Sequence, residues 1–353
     1  MPSHADWIAS LSPWPEEFGL GRMRTLLAAL GDPQLAYPAV HVVGTNGKST
    51  ATLTIEAYLR AAGLSVGATI SPHIRGFGER IRVDGAEADF EQAVARVRPL
   101  AEREGATQFE ALVAAAFVEF AACEVDVAVV EAGLGGRHDA TNVLRAPVVL
   151  LTNVSLEHTE VLGATRAAIA AEKLAVVQEE SIAVLPDLEF ARLAGPNVRV
   201  GGAKEAAEAY LGRLVEPFDD VRPPGRLEWR DGIGGGELRD GAHNPAGADW
   251  LVARLSREDF TVVASILGDK DADAMLGLFA HAGRRFIATT CSNPRALPAD
   301  ELARLAEPHF SFVEAIGDPA EALARAHELG GPVLVTGSLY LLADLAAQER
   351  APA

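Results

Sequence analysis

Cysteine is nearly absent: of 353 residues only Cys123 and Cys291 carry thiols, and they stand in distant segments. Neither a disulfide framework nor a thiolate zinc cluster can be assembled from that pair, and the usage fits a reducing cytoplasm. Long apolar runs are missing too. The run Ala111–Val118 is cut short by Glu119 and Glu124, and the start MPSHADW has neither a basic n-region nor an apolar h-region. Neither a membrane span nor a secretory leader is expected. Basic charge is scarce, with 31 Lys and Arg against 49 Asp and Glu and a net charge of −18. A field of that sign repels nucleic-acid backbones and anionic lipid alike, so neither is an expected partner.

What is present is the balance of a folded chain, 49% apolar and 23% charged, which excludes extended disorder. At roughly 100–200 residues per domain, two domains are expected. Several segments run strand, loop, helix. Val40–Val43 leads into GTNGKST and a helix to Ala62; Val125–Glu131 leads into AGLGGRHDATN; Val148–Thr152 leads into NVSLEHTEVLG. That order implies a parallel sheet in an α/β fold. The Ala-rich stretch Ala164–Ala175 has helical spacing. The rhythm returns in the last third, with strands at Phe260–Leu267, Arg285–Thr290 and Pro332–Thr336 and helices at Ala299–Ala306 and Pro319–Glu328. Between the two halves stands VRPPGR, Val221–Arg226, whose prolines and glycine read as a hinge. The expected domains are therefore 1–222 and 227–353, joined by a linker at 223–226.

The loop Gly44, Thr45, Asn46, Gly47, Lys48, Ser49, Thr50 follows a β run and opens a helix. In that setting backbone N–H groups and the helix N-terminus face a phosphate, Lys48 neutralises it, and a hydroxyl can hold magnesium. The commoner pattern has a further glycine where Val42 stands. Ser71 and His73 lie beyond a second candidate strand, and Glu131 closes a nearly unbroken apolar one. Burying that carboxylate costs several kcal/mol unless a cation or hydrogen bonds compensate it. A metal is the natural partner, with a cap on the glycine turn the alternative. His158 follows the third strand. Parallel strands deliver their C-terminal loops to one edge, where Ser49, Ser71, Glu131 and His158 could surround magnesium and nucleotide phosphates. Lys173 alone reads as a solvent-facing lysine on an amphipathic helix.

FGLGRMRTLLAALGDPQ, HVVGTNGKST, SPHIRGFGERIRV, TQFEALVAAAF, EAGLGGRHDATNV, LTNVSLEHTEVLG, AAEKLAV, PPGRLEW, DGAHNPAG, ILGDKDADAM, NPRALPADEL and VLVTGSLYLL occur in this order. The series resembles the folylpolyglutamate synthase and dihydrofolate synthase family, a branch of the Mur ligase superfamily. The resemblance implies a P-loop Mur-ligase-type ATPase domain with a parallel-rich sheet and a smaller Rossmann-like C-terminal α/β domain. It implies an ATP-dependent ligase that adds L-glutamate to dihydropteroate or to the glutamate tail of a reduced folate through an acyl phosphate, acting as a monomer. Carried over residue by residue, Lys48 falls on the phosphates and Ser49 on a first magnesium; Ser71, Glu131 and His158 fall on a second. Lys173 matches the lysine that is carbamylated in the family. Arg226, Asp240 and His243 match C-terminal groups that reach the nucleotide, and Ser338 matches one near the glutamate. The segment from Lys173 to Arg226 is shorter than the family's, and its helical candidate Gly202–Leu214 has none of the His, Gln or Asn found on the family's nucleotide-binding helix. Two readings stay open beside this one: a Mur-type ligase for a different acid, and a nucleotide-binding member without catalysis.

Overall fold

The computed structural model describes residues 3–350 apart from 14, 16, 218–220, 232–234 and 257–258. The chain divides into two compact units, the first ending at Val221 and the second beginning at Arg222. Among the described residues the first unit carries an eight-stranded sheet: β1 Ala39–Val43, β2 Val66–Thr69, β3 Arg82–Val83, β4 Ala86–Glu87, β5 Val127–Glu131, β6 Val148–Leu151, β7 Ile182–Leu185 and β8 Val198–Val200. Their order across the sheet is β4-β3-β2-β5-β1-β6-β7-β8. All neighbours pair parallel except the short β2-β3-β4 edge.

Strands β1, β5 and β6 are buried along their whole length because helices cover both faces. Alternation sorts their side chains. Val40, Val42, Val127, Val129, Val148 and Leu150 pack with Ile55 and Leu59 of the helix Lys48–Ala61. On the opposite face Ala128 and Val130 join Phe117 and Phe120 of the helix Gln108–Ala122. That helix starts at a capping box, in which Thr107 Oγ1 accepts from the Glu110 amide and Glu110 accepts from the Thr107 amide.

Register decides what reaches the C-terminal edge. Val42 is level with Glu131, Val43 with Leu151, and Thr69 with Val130. The loops opening at Gly44, Ile70, Ala132 and Thr152 therefore leave the sheet side by side. The chain steps from β1 over to β2, returns through β5 and then passes to β6 on the other flank, so β1 lies at a switch point.

Among the described residues the second unit carries a six-stranded sheet, ordered β13-β12-β11-β14-β10-β9. Its strands are β9 Glu228–Arg230, β10 Glu237–Arg239, β11 Thr261–Ala264, β12 Arg285–Ala288, β13 Phe312–Ala315 and β14 Val333–Thr336. Only β9 runs antiparallel. Helices cover Ala299–Ala306 and Pro319–Glu328 as the sequence predicts.

Several expected elements are shorter in the structure. The stretch Phe260–Leu267 is a strand only to Ala264, because Ser265–Leu267 turn into a buried loop where Leu297 N–H donates to Ile266 O at 2.9 Å. Likewise β12 stops at Ala288 rather than Thr290, and the helix expected over Gly202–Leu214 runs Ala203–Leu211. The strands β3, β4, β7, β8, β10 and β13 were not foreseen, while β9 falls in the strand-like stretch that follows VRPPGR.

Phe120 is fully buried, 6.0 Å from the Tyr37 ring centroid and directly over Gly67 of β2. Phe120→Ala is expected to destabilise the first unit by about 3–5 kcal/mol. Urea unfolding followed by circular dichroism checks this, and a loss below about 1 kcal/mol contradicts the packing described.

Candidate active site

The loop between β1 and the helix Lys48–Ala61 bends at Gly44, whose φ of 148° and contact with Thr152 leave no room for a side chain: a Cβ there would collide with Thr152 Oγ1. Lys48 Nζ donates to the Thr45 carbonyl at 3.1 Å, folded back over its own loop. The first amides of the helix have no intrahelical acceptor and point out of its N-terminus, a phosphate-binding arrangement.

Beside this loop, Ser49 Oγ donates to Ser71 O at 3.4 Å, and Ser71 N–H donates to Glu131 Oε2 at 3.0 Å. Glu131 is 3% exposed at the end of β5. The structure thus brings Ser49, Ser71 and Glu131 into one hydrogen-bonded chain. His158 stands on the β6 side, at the N-cap of the helix Thr159–Leu162 and three residues beyond Ser155, whose N–H donates to Thr45 Oγ1 at 3.1 Å. Its φ of 50° is left-handed, a conformation that costs a non-glycine residue about 1–3 kcal/mol and clusters at functional positions. Among the described residues no group of three or more His, Cys, Asp or Glu side chains could hold a metal alone. A donor set of hydroxyls, one carboxylate and one imidazole fits magnesium when nucleotide oxygens and water fill the remaining positions, as magnesium sites usually require.

Lys173 is not solvent-facing, contrary to its isolated reading. It sits in the last turn of the helix Arg166–Leu174, is 4% exposed, and donates through Nζ to the Gly44 carbonyl at 2.7 Å. Burial, then the neighbouring Lys48 ammonium, pull its pKa down to about 7. Gly136 lets the glycine loop press on the same helix end, since a Cβ there would stand 2.5 Å from Lys173 O. Arg137 N–H donates to Glu172 O at 3.1 Å nearby.

Asp139 was missed at the sequence level. Its buried carboxylate accepts from Leu134 N–H at 2.7 Å, Thr141 N–H at 3.0 Å and Thr141 Oγ1 at 2.5 Å, while burial pushes its pKa up. Thr141 Oγ1 also lies 2.8 Å from His41 Nε2, and burial pulls His41 down to about 4, so that ring is neutral. With the Thr141 proton directed at Asp139, Nε2 is the protonated nitrogen of His41. An Asp just past a glycine turn was the available signal.

In the second unit, Asp240 accepts from Leu227 N–H and Ala242 N–H, each at 2.9 Å. Burial raises its pKa against the opposing charge of Arg226 and, less, His243. Arg226 Nη1 donates to Gly225 O at 3.0 Å, and His243 Nδ1 is 2.8 Å from Gly241 O, which requires the proton on Nδ1. Arg226, Asp240 and His243 thus form one group. Ser338 is buried after β14, where its Oγ accepts from Tyr340 N–H at 3.1 Å as a helix cap.

Residues 42–211 match the family model of the Mur ligase middle domain, and residues 225–339 that of the Mur ligase glutamate ligase domain. The dihydrofolate synthase/folylpolyglutamate synthase of Mycobacterium tuberculosis is 33% identical over 84% of this chain and 80% of that protein. A solved structure of Mycobacterium tuberculosis folylpolyglutamate synthase complexed with ADP is similar at a TM-score of 0.88 and 28% identity, covering 99% of this chain and 98% of that one. A bifunctional folylpolyglutamate synthase/dihydrofolate synthase with manganese, AMPPNP and L-glutamate bound gives a TM-score of 0.85 and 27% identity over 99% of both chains.

Lys173 should titrate with a midpoint near 7 in a lysine-selective NMR experiment, neutral above it and charged below. Lys48→Met removes a repelling cation and should move that midpoint upward. A wild-type midpoint at the usual value of about 10 would show that the amine is not desolvated.

Proposed function

The chain belongs to the folylpolyglutamate synthase and dihydrofolate synthase family of Mur ligases, and from that membership we propose that it joins L-glutamate to dihydropteroate, to the glutamate tail of reduced folates, or to both. It is an ATP-dependent carbon–nitrogen ligase. The observation that carries this reading is the convergence of the phosphate loop, Ser71 and Glu131 at level strand ends of β1, β2 and β5.

A carboxylate oxygen of the acceptor attacks the γ-phosphorus of ATP, ADP leaves, and an acyl phosphate forms. The amino nitrogen of L-glutamate then attacks the acyl carbon and loses a proton, and phosphate departs as the amide forms. The first step brings two anions together, so its barrier is largely electrostatic repulsion. Lys48 and the opening amides of the helix Lys48–Ala61 hold the triphosphate. Ser49 would hold magnesium at one position and Ser71, Glu131 and His158 would hold it at another, where it would supply positive charge to offset the phosphates. Arg226, Asp240 and His243 are assigned to the nucleotide and Ser338 to L-glutamate.

Lys173 is assigned as a carbamylated lysine. With a pKa near 7 much of the amine is neutral at physiological pH, the form that adds carbon dioxide with release of a proton. The carbamate keeps one N–H, enough to preserve the bond to Gly44 O. Its negative charge would turn repulsion of Lys48 and the metal into attraction. The reaction is placed in the cytoplasm, where both thiols, which are free, stay reduced. Among the described residues no helix is long and apolar enough to cross a membrane.

The purified protein with ATP, magnesium, bicarbonate and L-glutamate should release ADP in the presence of dihydropteroate or tetrahydrofolate, with a product heavier by one glutamate residue on mass spectrometry. Lys48→Ala and Glu131→Gln should each lower kcat by at least about a hundredfold. ATP binding without turnover on either acceptor overturns the assignment in favour of a non-catalytic nucleotide-binding protein; turnover with another acid alone assigns a different Mur-type acceptor.

A further inference from the structure

The phosphate loop is held from outside as well as by its own bond from Lys48 Nζ to Thr45 O. Thr45 N–H donates to Asn153 O at 3.0 Å, and Thr45 Oγ1 is bonded to Ser155 N–H. The next residue, Asn46, is gripped at both backbone poles by one side chain: Asn46 N–H donates to Asn153 Oδ1 at 3.0 Å, and Asn153 Nδ2 donates to Asn46 O at 3.0 Å. Thr152 Oγ1 reaches the same carbonyl at 2.7 Å. An amide side chain that satisfies an N–H and a C=O of one residue does what a neighbouring strand would do, and here it does so across 107 positions of chain.

That pairing has a consequence for ligand binding. The amides of Thr45 and Asn46 are committed to the β6 loop and cannot turn toward a phosphate. The amides left to face it are those from Gly47 into the first turn of the helix Lys48–Ala61, which lack intrahelical acceptors. We propose that Asn153 is a positioning residue of the phosphate site, fixing the Asn46 peptide so that Gly47 and Lys48 present their donors to the nucleotide. The inference rests on the reading of this loop as the ATP site.

Preorganised donors bind anions well because their orientation is set before the ligand arrives, and a donor free to rotate loses that advantage. Removing the Asn153 amide takes away its bond to the Asn46 N–H and its bond to the Asn46 carbonyl, while the bond from Thr152 Oγ1 to that carbonyl stays. The experiment measures ADP affinity by calorimetry and separate KM values for ATP and L-glutamate on wild-type protein, Asn153→Ala and Asn153→Asp, with thermal midpoints as a check on folding. Asn153→Ala should weaken ADP binding and raise KM for ATP at least about tenfold, the effect of losing one hydrogen bond of net worth, while KM for L-glutamate stays within twofold. Asn153→Asp keeps an acceptor for the Asn46 amide but sets a negative charge against its carbonyl, and should lose at least as much. If Asn153→Ala does not fold, Thr152→Val removes the companion bond to the same carbonyl and should weaken ADP severalfold. ADP affinity unchanged in the folded variants overturns the positioning role alone; a wild-type protein that binds no ADP overturns the functional reading and this inference with it.

Discussion

Level pairing of β1 with β5 on one side and β6 on the other is the constraint on which the candidate site depends. Because Val42 stands opposite Glu131 and Val43 opposite Leu151, the chain leaves the sheet at Gly44, Ala132 and Thr152 within one row. A slip of one residue in either pairing would rotate every side chain of a strand to the opposite face. Val40 and Val42 would leave the helix Lys48–Ala61, and Glu131 would turn away from Ser71. The apolar burial that locks the register is thus also what aims the carboxylate. Packing and chemistry are written in the same residues.

The charges gathered at that edge are individually costly. Glu131 and Lys173 are both almost fully buried, and a desolvated ion in a protein interior carries a penalty of several kcal/mol unless partners compensate it. Glu131 accepts a hydrogen bond from Ser71 N–H, and Lys173 donates one to Gly44 O while burial and the Lys48 charge lower its pKa to about 7. Neither solution is what maximal stability would select; an apolar side chain would serve the core better in each place. A buried lysine with a lowered pKa and a buried carboxylate, both with partners at a phosphate-binding loop, are the physical mark of a site that trades stability for reactivity. The surrounding net charge of −18 sharpens this, since an anionic nucleotide must find its attraction locally.

Residues announced by local pattern were legible in the sequence. The helix Pro319–Glu328 is preceded by Asp318, which accepts from Ala320 N–H at 2.8 Å and Glu321 N–H at 3.0 Å, so cap and proline mark its start without tertiary information. Ser71 and Glu131 were visible because each ends an apolar run where a polar side chain is out of place. Ser265–Leu267 misled because hydrophobicity reports burial, and a buried loop carries the same signal as a strand end. Asn153, Asp139 and the true surroundings of Lys173 were not legible: Asn153 acts on a partner 107 positions away and Lys173 on one 129 away, and no local periodicity encodes such meetings.

The missing glycine of the phosphate loop has a physical account in these same contacts. Val42, where the commoner motif has glycine, is fully buried in the middle of the sheet against Ile55 and Leu59. Glycine there would forfeit about 1.5–3 kcal/mol of side-chain burial and weaken the central strand. Keeping valine moves the turn two residues on, to Gly44, and shortens the loop that must wrap a phosphate. A shorter loop has fewer internal hydrogen bonds with which to define itself. The definition is supplied from outside, by Thr152, Asn153 and Ser155, whose bonds to Val43, Thr45 and Asn46 replace those that a longer loop would make within itself. Phosphate loop and β6 loop are therefore tied into one hydrogen-bonded element, and the end of β6 that leads to His158 is fixed to the phosphate loop.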